Sequence, residues 1–167
     1  MTKRLLLTAA AIAYGGVFVL TGQQATTSAV FTAAQAAAGK TAYLSSCGKC
    51  HTVSLNGRKG EAGELPPVDS LPAHIQEMVL TYKGKIPPLT GVAFLSKWAT
   101  TKDFSHRIEE AVGGFPPDNL TSESYLELTA YILQVNGARP GTQALTKDTA
   151  EEMRSVLPGL AVQTAKR

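Results

Sequence analysis

The sequence predicts an all-α fold, and three observations carry that prediction. Apolar residues recur at helical spacing along the chain, most clearly at Tyr125, Leu128, Tyr131/Ile132 and Val135. No run of alternating apolar residues is long enough to indicate a sheet. At 167 residues and 44% hydrophobic content, the chain has room for one compact domain with its own core.

Helical periodicity places six helices along the chain, with a loop-like stretch over residues 52–70 that is rich in Gly, Pro and charge. The expected helices are Ala33–Cys47, Pro72–Lys83, Val92–Trp98, Asp103–Val112, Ser122–Val135 and Thr146–Val156.

Local signals set the expected helix ends. Thr32 and Gln35 have the spacing of a capping box before the first helix. Ser70, Thr121 and Thr146 are the expected caps of three later helices, and Asn136-Gly137 is a stop signal.

The first 29 residues read as a secretory signal peptide. Lys3 and Arg4 precede the apolar run Leu5–Leu20, and small polar residues follow. Cleavage after Ala29 or after Ala36 fits the small-residue rule, and Ala29 is favoured because the later cut would remove the capping box. The alternative is an uncleaved anchor, since the apolar run is only slightly shorter than a bilayer span of about 20 residues.

Charge excludes one class of partner. The chain carries 16 basic and 13 acidic residues, and loss of the signal segment leaves 14 and 13. A nearly neutral chain lacks the basic footprint of a nucleic-acid-binding protein.

Cys47-Gly48-Lys49-Cys50-His51 is the C-x-x-C-H pattern of covalent haem attachment. Two thiols three positions apart can reach the two vinyl groups of one porphyrin, and the adjacent His51 then lies under the iron as an axial ligand. Export supports this interpretation, because it supplies the compartment in which such haem is attached. We therefore expect one covalent haem c.

Other uses of the two cysteines fit less well. A thioredoxin-like redox pair requires a βαβ context that the pattern lacks. A zinc site needs about four ligands, whereas the chain has two Cys and three His, with His74 and His106 distant in sequence.

The chain resembles the class I bacterial c-type cytochromes over residues 30–145. The resemblance rests on VFTAAQAAAGKTAYLSSCGKCH, PPLTGVAFLSKW and LTSESYLELTAYILQVNGARPG. It implies a small helical fold wrapped around one haem. Residues 146–167 lie outside the resemblance, and we expect them to form a C-terminal helical extension. The resemblance also implies that Gly39 and Tyr43 on the first helix meet Tyr131 on the last core helix.

The resemblance implies two further haem contacts. The backbone carbonyl of Pro88 would accept the Nδ1–H of His51, with Pro66-Pro67 as the rival segment. Trp98 would pack near the haem edge and donate its N–H to a propionate, or else be an ordinary core residue.

The sixth iron ligand departs from the family pattern, because Phe115 stands where the family usually has an axial Met. Four alternatives stay open: an open or water-bound site, Met78, His106, or the less favoured Met153. Met ligation implies a high potential and bis-His ligation a lower one, whereas an open site would admit small ligands and weak peroxidase chemistry.

The expected function is that of a periplasmic, non-enzymatic electron carrier between a dehydrogenase and a terminal acceptor. Its partner would be a quinoprotein dehydrogenase or an oxidase, without nucleic acid, and with a membrane only if the signal segment is retained. Lys49, Arg58 and Lys59 form either a cationic docking rim or, more simply, a solvated loop. The alternatives are a ligand-binding haem protein with an open distal site and a haem subunit of a quinoprotein dehydrogenase.

Overall fold

The computed structural model describes residues 28–71, 73–113, 120–157 and 159–160. These residues are mostly helical, and one small antiparallel ribbon joins two loops. The helices are α1 (Ala33–Ser46), α2 (Gly48–His51), α3 (Ala73–Thr81), α4 (Val92–Leu95), α5 (Thr101–Gly113), α6 (Ser122–Val135) and α7 (Met153–Val156). The ribbon pairs β1 (Arg58–Lys59) with β2 (Lys85–Ile86), and a 3-10 turn spans Val68–Ser70.

The two longest helices, α1 and α6, begin where the local signals predict. Thr32 accepts the Gln35 amide at 3.1 Å and Gln35 returns its side-chain oxygen to the Thr32 amide at 3.2 Å, which completes the capping box. Thr121 caps α6 by accepting the Ser124 amide. At its end, Gly137 adopts a φ of +95°, a conformation that glycine reaches without steric cost.

The centre of the fold is the crossing of α1 and α6. A Cβ at Gly39 would overlap the backbone carbonyl of Glu127 and lie 2.9 Å from the Leu128 nitrogen, so only glycine fits there. One turn further along α1, Tyr43 packs on Tyr131 with ring centroids 5.4 Å apart. The predicted contact between these two helices is confirmed.

Other elements differ from the sequence prediction. The loop over residues 52–70 contains β1 and the 3-10 turn, and the ribbon was not predicted. Ser70 does not cap α3, since its hydroxyl donates to the Pro67 carbonyl within the 3-10 turn. The patch expected over Val92–Trp98 is helical only to Leu95.

The expected terminal helix over Thr146–Val156 is also wrong in extent, because only α7 is helical. Residues before it bond to distant parts of the chain instead: Thr101 donates its amide to the Glu151 carbonyl at 2.8 Å, and Gln35 exchanges two hydrogen bonds with the Leu145 backbone. Met153 is 1% exposed and belongs to the main core. Met153, Val156 and Leu157 are therefore packed into the same core as residues 30–145.

Nearly all of the predicted signal segment, residues 1–27, lies outside the described residues. Within the described ranges, no helix combines the length and apolar character needed to cross a membrane.

Gly39→Ala tests the helix crossing. The new methyl group would meet backbone atoms that cannot rotate away, so we expect a loss of about 3 kcal/mol in the free energy of unfolding, the upper end of overpacking costs. Denaturant unfolding measures it. Gly48→Ala is the matched control, because its Cβ would lie no nearer than 3.5 Å to its neighbours. An unchanged stability in Gly39→Ala would contradict the close approach.

Candidate functional site

The Cys47–His51 motif lies at the junction of α1 and α2. Cys47 ends α1 and donates its amide to the Tyr43 carbonyl at 2.8 Å. The amides of Cys50 and His51 both donate to the Cys47 carbonyl, at 3.1 and 2.9 Å. The two half-buried thiols and the imidazole are thus held within one helical turn, and the cysteines form no disulfide.

Both thiols are protonated at neutral pH. Burial raises the pKa of Cys47 to about 11. Burial also raises the pKa of Cys50, although the positive charges of Arg58 and Lys49 oppose this rise.

The imidazole of His51 has a defined tautomer. Its Nδ1 lies 2.9 Å from the Pro87 carbonyl oxygen, which can only accept, so the proton is on Nδ1. Burial lowers the pKa of His51, and the bond to Pro87 only partly opposes that shift. The ring is therefore neutral at pH 7 and keeps its lone pair on Nε2, as a metal-ligating histidine requires.

The acceptor is Pro87, which corrects the expectation for Pro88. The position follows from the ribbon, because β2 ends at Ile86 and the next carbonyl is that of Pro87. The segment is fixed from its other side by the Leu89 amide, which donates to the Leu55 carbonyl at 2.8 Å. The rival carbonyl of Pro67 instead accepts from Ser70, so the Pro66-Pro67 alternative is also wrong.

The loop after His51 contains unusual backbone conformations. Thr52 and Leu55 have backbone φ angles of +67° and +61°, which residues other than glycine rarely adopt. The buried Tyr43 hydroxyl donates to the Thr52 carbonyl at 2.7 Å, and burial raises its pKa. The Gly57 amide closes the loop on the His51 carbonyl at 3.1 Å. The motif is thus held by bonds to both of its ends.

Trp98 carries a buried indole N–H donor. Its Nε1 is inaccessible to solvent and has no acceptor among the described residues. Its ring packs on Phe94 and Phe104, with centroids 6.0 and 5.8 Å away. A buried unpaired N–H costs about 1–3 kcal/mol, and it fits a group that brings its own acceptor, as a propionate does.

The candidate sixth ligands lie in three different settings. His106 is exposed on α5, 3.4 Å from the Glu110 carboxylate. Met78 is 39% exposed on α3, whereas Met153 is buried in the core. Phe115 lies outside the described residues. None of these positions selects one residue as the sixth ligand, so the alternatives from the sequence are unchanged.

Arg58 contacts the motif directly, which the sequence analysis did not predict. Its Nε donates to the Cys50 carbonyl at 3.1 Å and its Nη2 to the Lys49 carbonyl at 2.7 Å. Lys49 and Lys59 are exposed, in keeping with a solvated loop. No local signal in the sequence identifies Arg58, because the contact depends on long-range pairing with β2.

No protein-family model, curated protein or solved structure matches this chain. In the parts of the chain that the structure describes, no three His, Cys, Asp or Glu side chains are grouped so as to hold a metal ion. The cytochrome resemblance therefore rests on the motifs alone.

Tyr43→Phe tests the bond that holds the loop after His51. Losing the hydroxyl leaves the Thr52 carbonyl without this donor, so we expect a loss of about 1 kcal/mol in unfolding free energy. Denaturant unfolding measures the change. Tyr82→Phe, on a side chain that is 62% exposed, should leave stability unchanged. Equal effects from both variants would contradict a specific role for the Tyr43 hydroxyl.

Proposed function

We propose that this chain is an exported monohaem c-type cytochrome that carries single electrons between a periplasmic dehydrogenase and a terminal acceptor. The observation that carries the proposal is the state of His51. It is a neutral imidazole with its proton on Nδ1 and its lone pair on Nε2, within one helical turn of two free thiols. Haem c, when bound, supplies an iron that accepts and releases one electron.

The two cysteines would hold the haem covalently. Their thiols lie at the first and last positions of the turn closed by the Cys50 amide and the Cys47 carbonyl. Attachment at two points would fix the porphyrin relative to α1, which is itself fixed by its crossing with α6. A tethered cofactor does not exchange during repeated encounters with partners.

His51 would be the axial ligand on the proximal side. Its hydrogen bond to the Pro87 carbonyl orients the ring and increases the electron density on Nε2. A more basic ligand stabilises the ferric iron, so this bond would lower the potential. The Pro87 segment would therefore adjust the potential without itself binding the iron.

Trp98 would bind a propionate. The carboxylate would accept from the buried Nε1 atom, which has no acceptor among the described residues. Packing on Phe94 and Phe104 holds the indole in place for this contact. Hydrogen bonds to a charged group are worth about 1.5–3 kcal/mol, so the pair would contribute measurably to haem retention.

The partner would be a redox protein of the exported compartment, such as a quinoprotein dehydrogenase or an oxidase. Transient electron-transfer contacts are small, below about 1,200 Å². The near balance of basic and acidic residues favours a contact that depends little on salt. Exposed apolar side chains such as Leu44 and Val53, on either side of the motif in sequence, are available for such a contact.

Expression in a bacterium that attaches haem to exported proteins tests the proposal. We expect the purified wild-type chain to keep one haem through denaturation and to exchange one electron with an inorganic redox reagent. Cys47→Ala/Cys50→Ala should lose covalent haem, because both attachment points are gone. His51→Ala should lose the proximal ligand and change the ferric spectrum. Mass spectrometry and absorbance measure these outcomes.

Lys49→Ala is the matched control, since it lies between the two cysteines and carries no proposed contact through its side chain. It should attach haem as the wild type does. Recovery of the wild-type chain without covalent haem, under conditions where another c-type cytochrome matures, would overturn the proposal.

Trp98→Phe distinguishes a haem contact from ordinary packing. In the haem-bound protein we expect a loss of about 2 kcal/mol in unfolding free energy, because a propionate loses its donor. In Cys47→Ala/Cys50→Ala protein without haem, the same change should cost clearly less, because removal of a donor that has no partner among the described residues offsets part of the lost packing. Denaturant unfolding curves of Trp98→Phe and its parent, recorded with haem and in the double-cysteine variant without haem, give the comparison. An equal loss in both would show that Trp98 only packs.

A further inference from the structure

Arg58 joins two segments that lie on either side of His51. Its guanidinium donates from two nitrogens to the Lys49 and Cys50 carbonyls, at the end of the α2 turn. Its backbone is paired with Ile86 in the ribbon. Because Pro87 follows Ile86 directly, Arg58 ties the α2 turn to the carbonyl that accepts from His51.

Gly57 shows how closely these segments approach. A Cβ at Gly57 would overlap the Ile86 carbonyl and lie 2.7 Å from the Pro87 carbonyl carbon, at a φ of +69°. Its amide donates to the His51 carbonyl. Gly57 and Arg58 together therefore bond to three consecutive carbonyls of the motif, those of Lys49, Cys50 and His51.

The two residues of β1 are used differently. Arg58 is paired with Ile86, and its side chain reaches the α2 turn. Lys59 is paired with Lys85 and both are exposed, so their side chains lie on the other face of the ribbon. Lys59 thus neighbours Arg58 in sequence and has the same charge, but it does not make the contacts of Arg58 with the Lys49 and Cys50 carbonyls.

We propose that Arg58 is a positioning residue for the axial ligand: its forked contact with the Lys49 and Cys50 carbonyls holds His51 in register with the Pro87 carbonyl and so sets the iron potential. The inference rests on the proposed function. A guanidinium supplies donors in a rigid planar fork, whereas a lysine ammonium is a point charge on a flexible chain. The contact therefore requires arginine, and charge alone does not reproduce it.

Positioning and charge act on the potential in opposite directions. Looser positioning weakens the His51–Pro87 bond, makes Nε2 less basic and favours ferrous iron. Removing a nearby positive charge favours ferric iron, because the reduced haem loses an attractive neighbour. Arg58→Lys keeps the charge and loses the fork, so it isolates the positioning effect.

The test compares Arg58→Lys and Lys59→Met with the wild-type holoprotein. At a fixed ambient potential, we expect Arg58→Lys to raise the ratio of ferrous to ferric haem about tenfold, the same order as the loss of metal affinity when a metal ligand loses its hydrogen-bond partner. That ratio corresponds to 59 mV for one electron. Lys59→Met should leave the ratio unchanged or lower it slightly.

Hydrogen exchange gives a readout that does not depend on charge. We expect the Gly57 amide, which is bonded to the His51 carbonyl, to exchange about tenfold faster in Arg58→Lys and not in Lys59→Met. Arg58→Gln should show the same faster exchange of the Gly57 amide. It replaces Arg58→Lys in this measurement if Arg58→Lys yields too little protein.

The outcomes separate the two proposals. A wild-type chain without covalent haem would overturn the proposed function and this inference with it. A haem-bearing wild type, with potential and Gly57 exchange unaltered in Arg58→Lys, would overturn the role of Arg58 alone. A fall in the ferrous ratio of Arg58→Gln that matches the fall in Lys59→Met would also overturn it, in favour of a general charge effect, because both variants remove one positive charge.

Discussion

The hydrogen bond from His51 Nδ1–H to the Pro87 carbonyl is the constraint on which the candidate site depends. It joins two parts of the chain that reach this point by separate routes. His51 is placed by α1, whose position follows from the close approach of Gly39 to the α6 backbone. Pro87 is placed by β2, whose register follows from its pairing with β1. The defined tautomer of the His51 imidazole results only where both placements are correct.

Local chemistry predicted those parts of the fold in which the interacting groups are near in sequence. The capping box at Thr32 and the Thr121 cap depend on residues three apart, and both form. Prediction failed at Thr146–Val156 and at Ser70. At Thr146–Val156, tertiary bonds such as that from the Thr101 amide to the Glu151 carbonyl hold a backbone that is helical only from Met153. At Ser70, a local bond to the Pro67 carbonyl within the 3-10 turn replaces the expected cap.

The site shows the same division. Cys47, Cys50 and His51 could be predicted because one helical turn contains them, and Tyr43 opposite Tyr131 could be predicted from helical spacing and the family resemblance. The acceptor was placed one residue too far along, at Pro88. That choice needed the register of β1 on β2, which two residues per strand leave undetermined in the sequence. For the same reason, the sequence predicts no more for Arg58 than a place in a cationic docking rim or in a solvated loop.

The distribution of unfavourable features argues that the site is built for a function and is not merely a junction between helices. Two of the three non-glycine residues with positive φ in the described chain, Thr52 and Leu55, lie in the loop after the motif, and such conformations cost about 1–3 kcal/mol each. In the described part of the chain, Trp98 has a buried side-chain donor without a hydrogen-bond partner. A fold whose two longest helices satisfy their local rules, yet which keeps two such conformations directly after two thiols and a histidine, departs from optimal stability where chemistry is expected. A covalently held cofactor that accepts from Trp98 and binds His51 would offset them, and this is the physical case for a haem at this position.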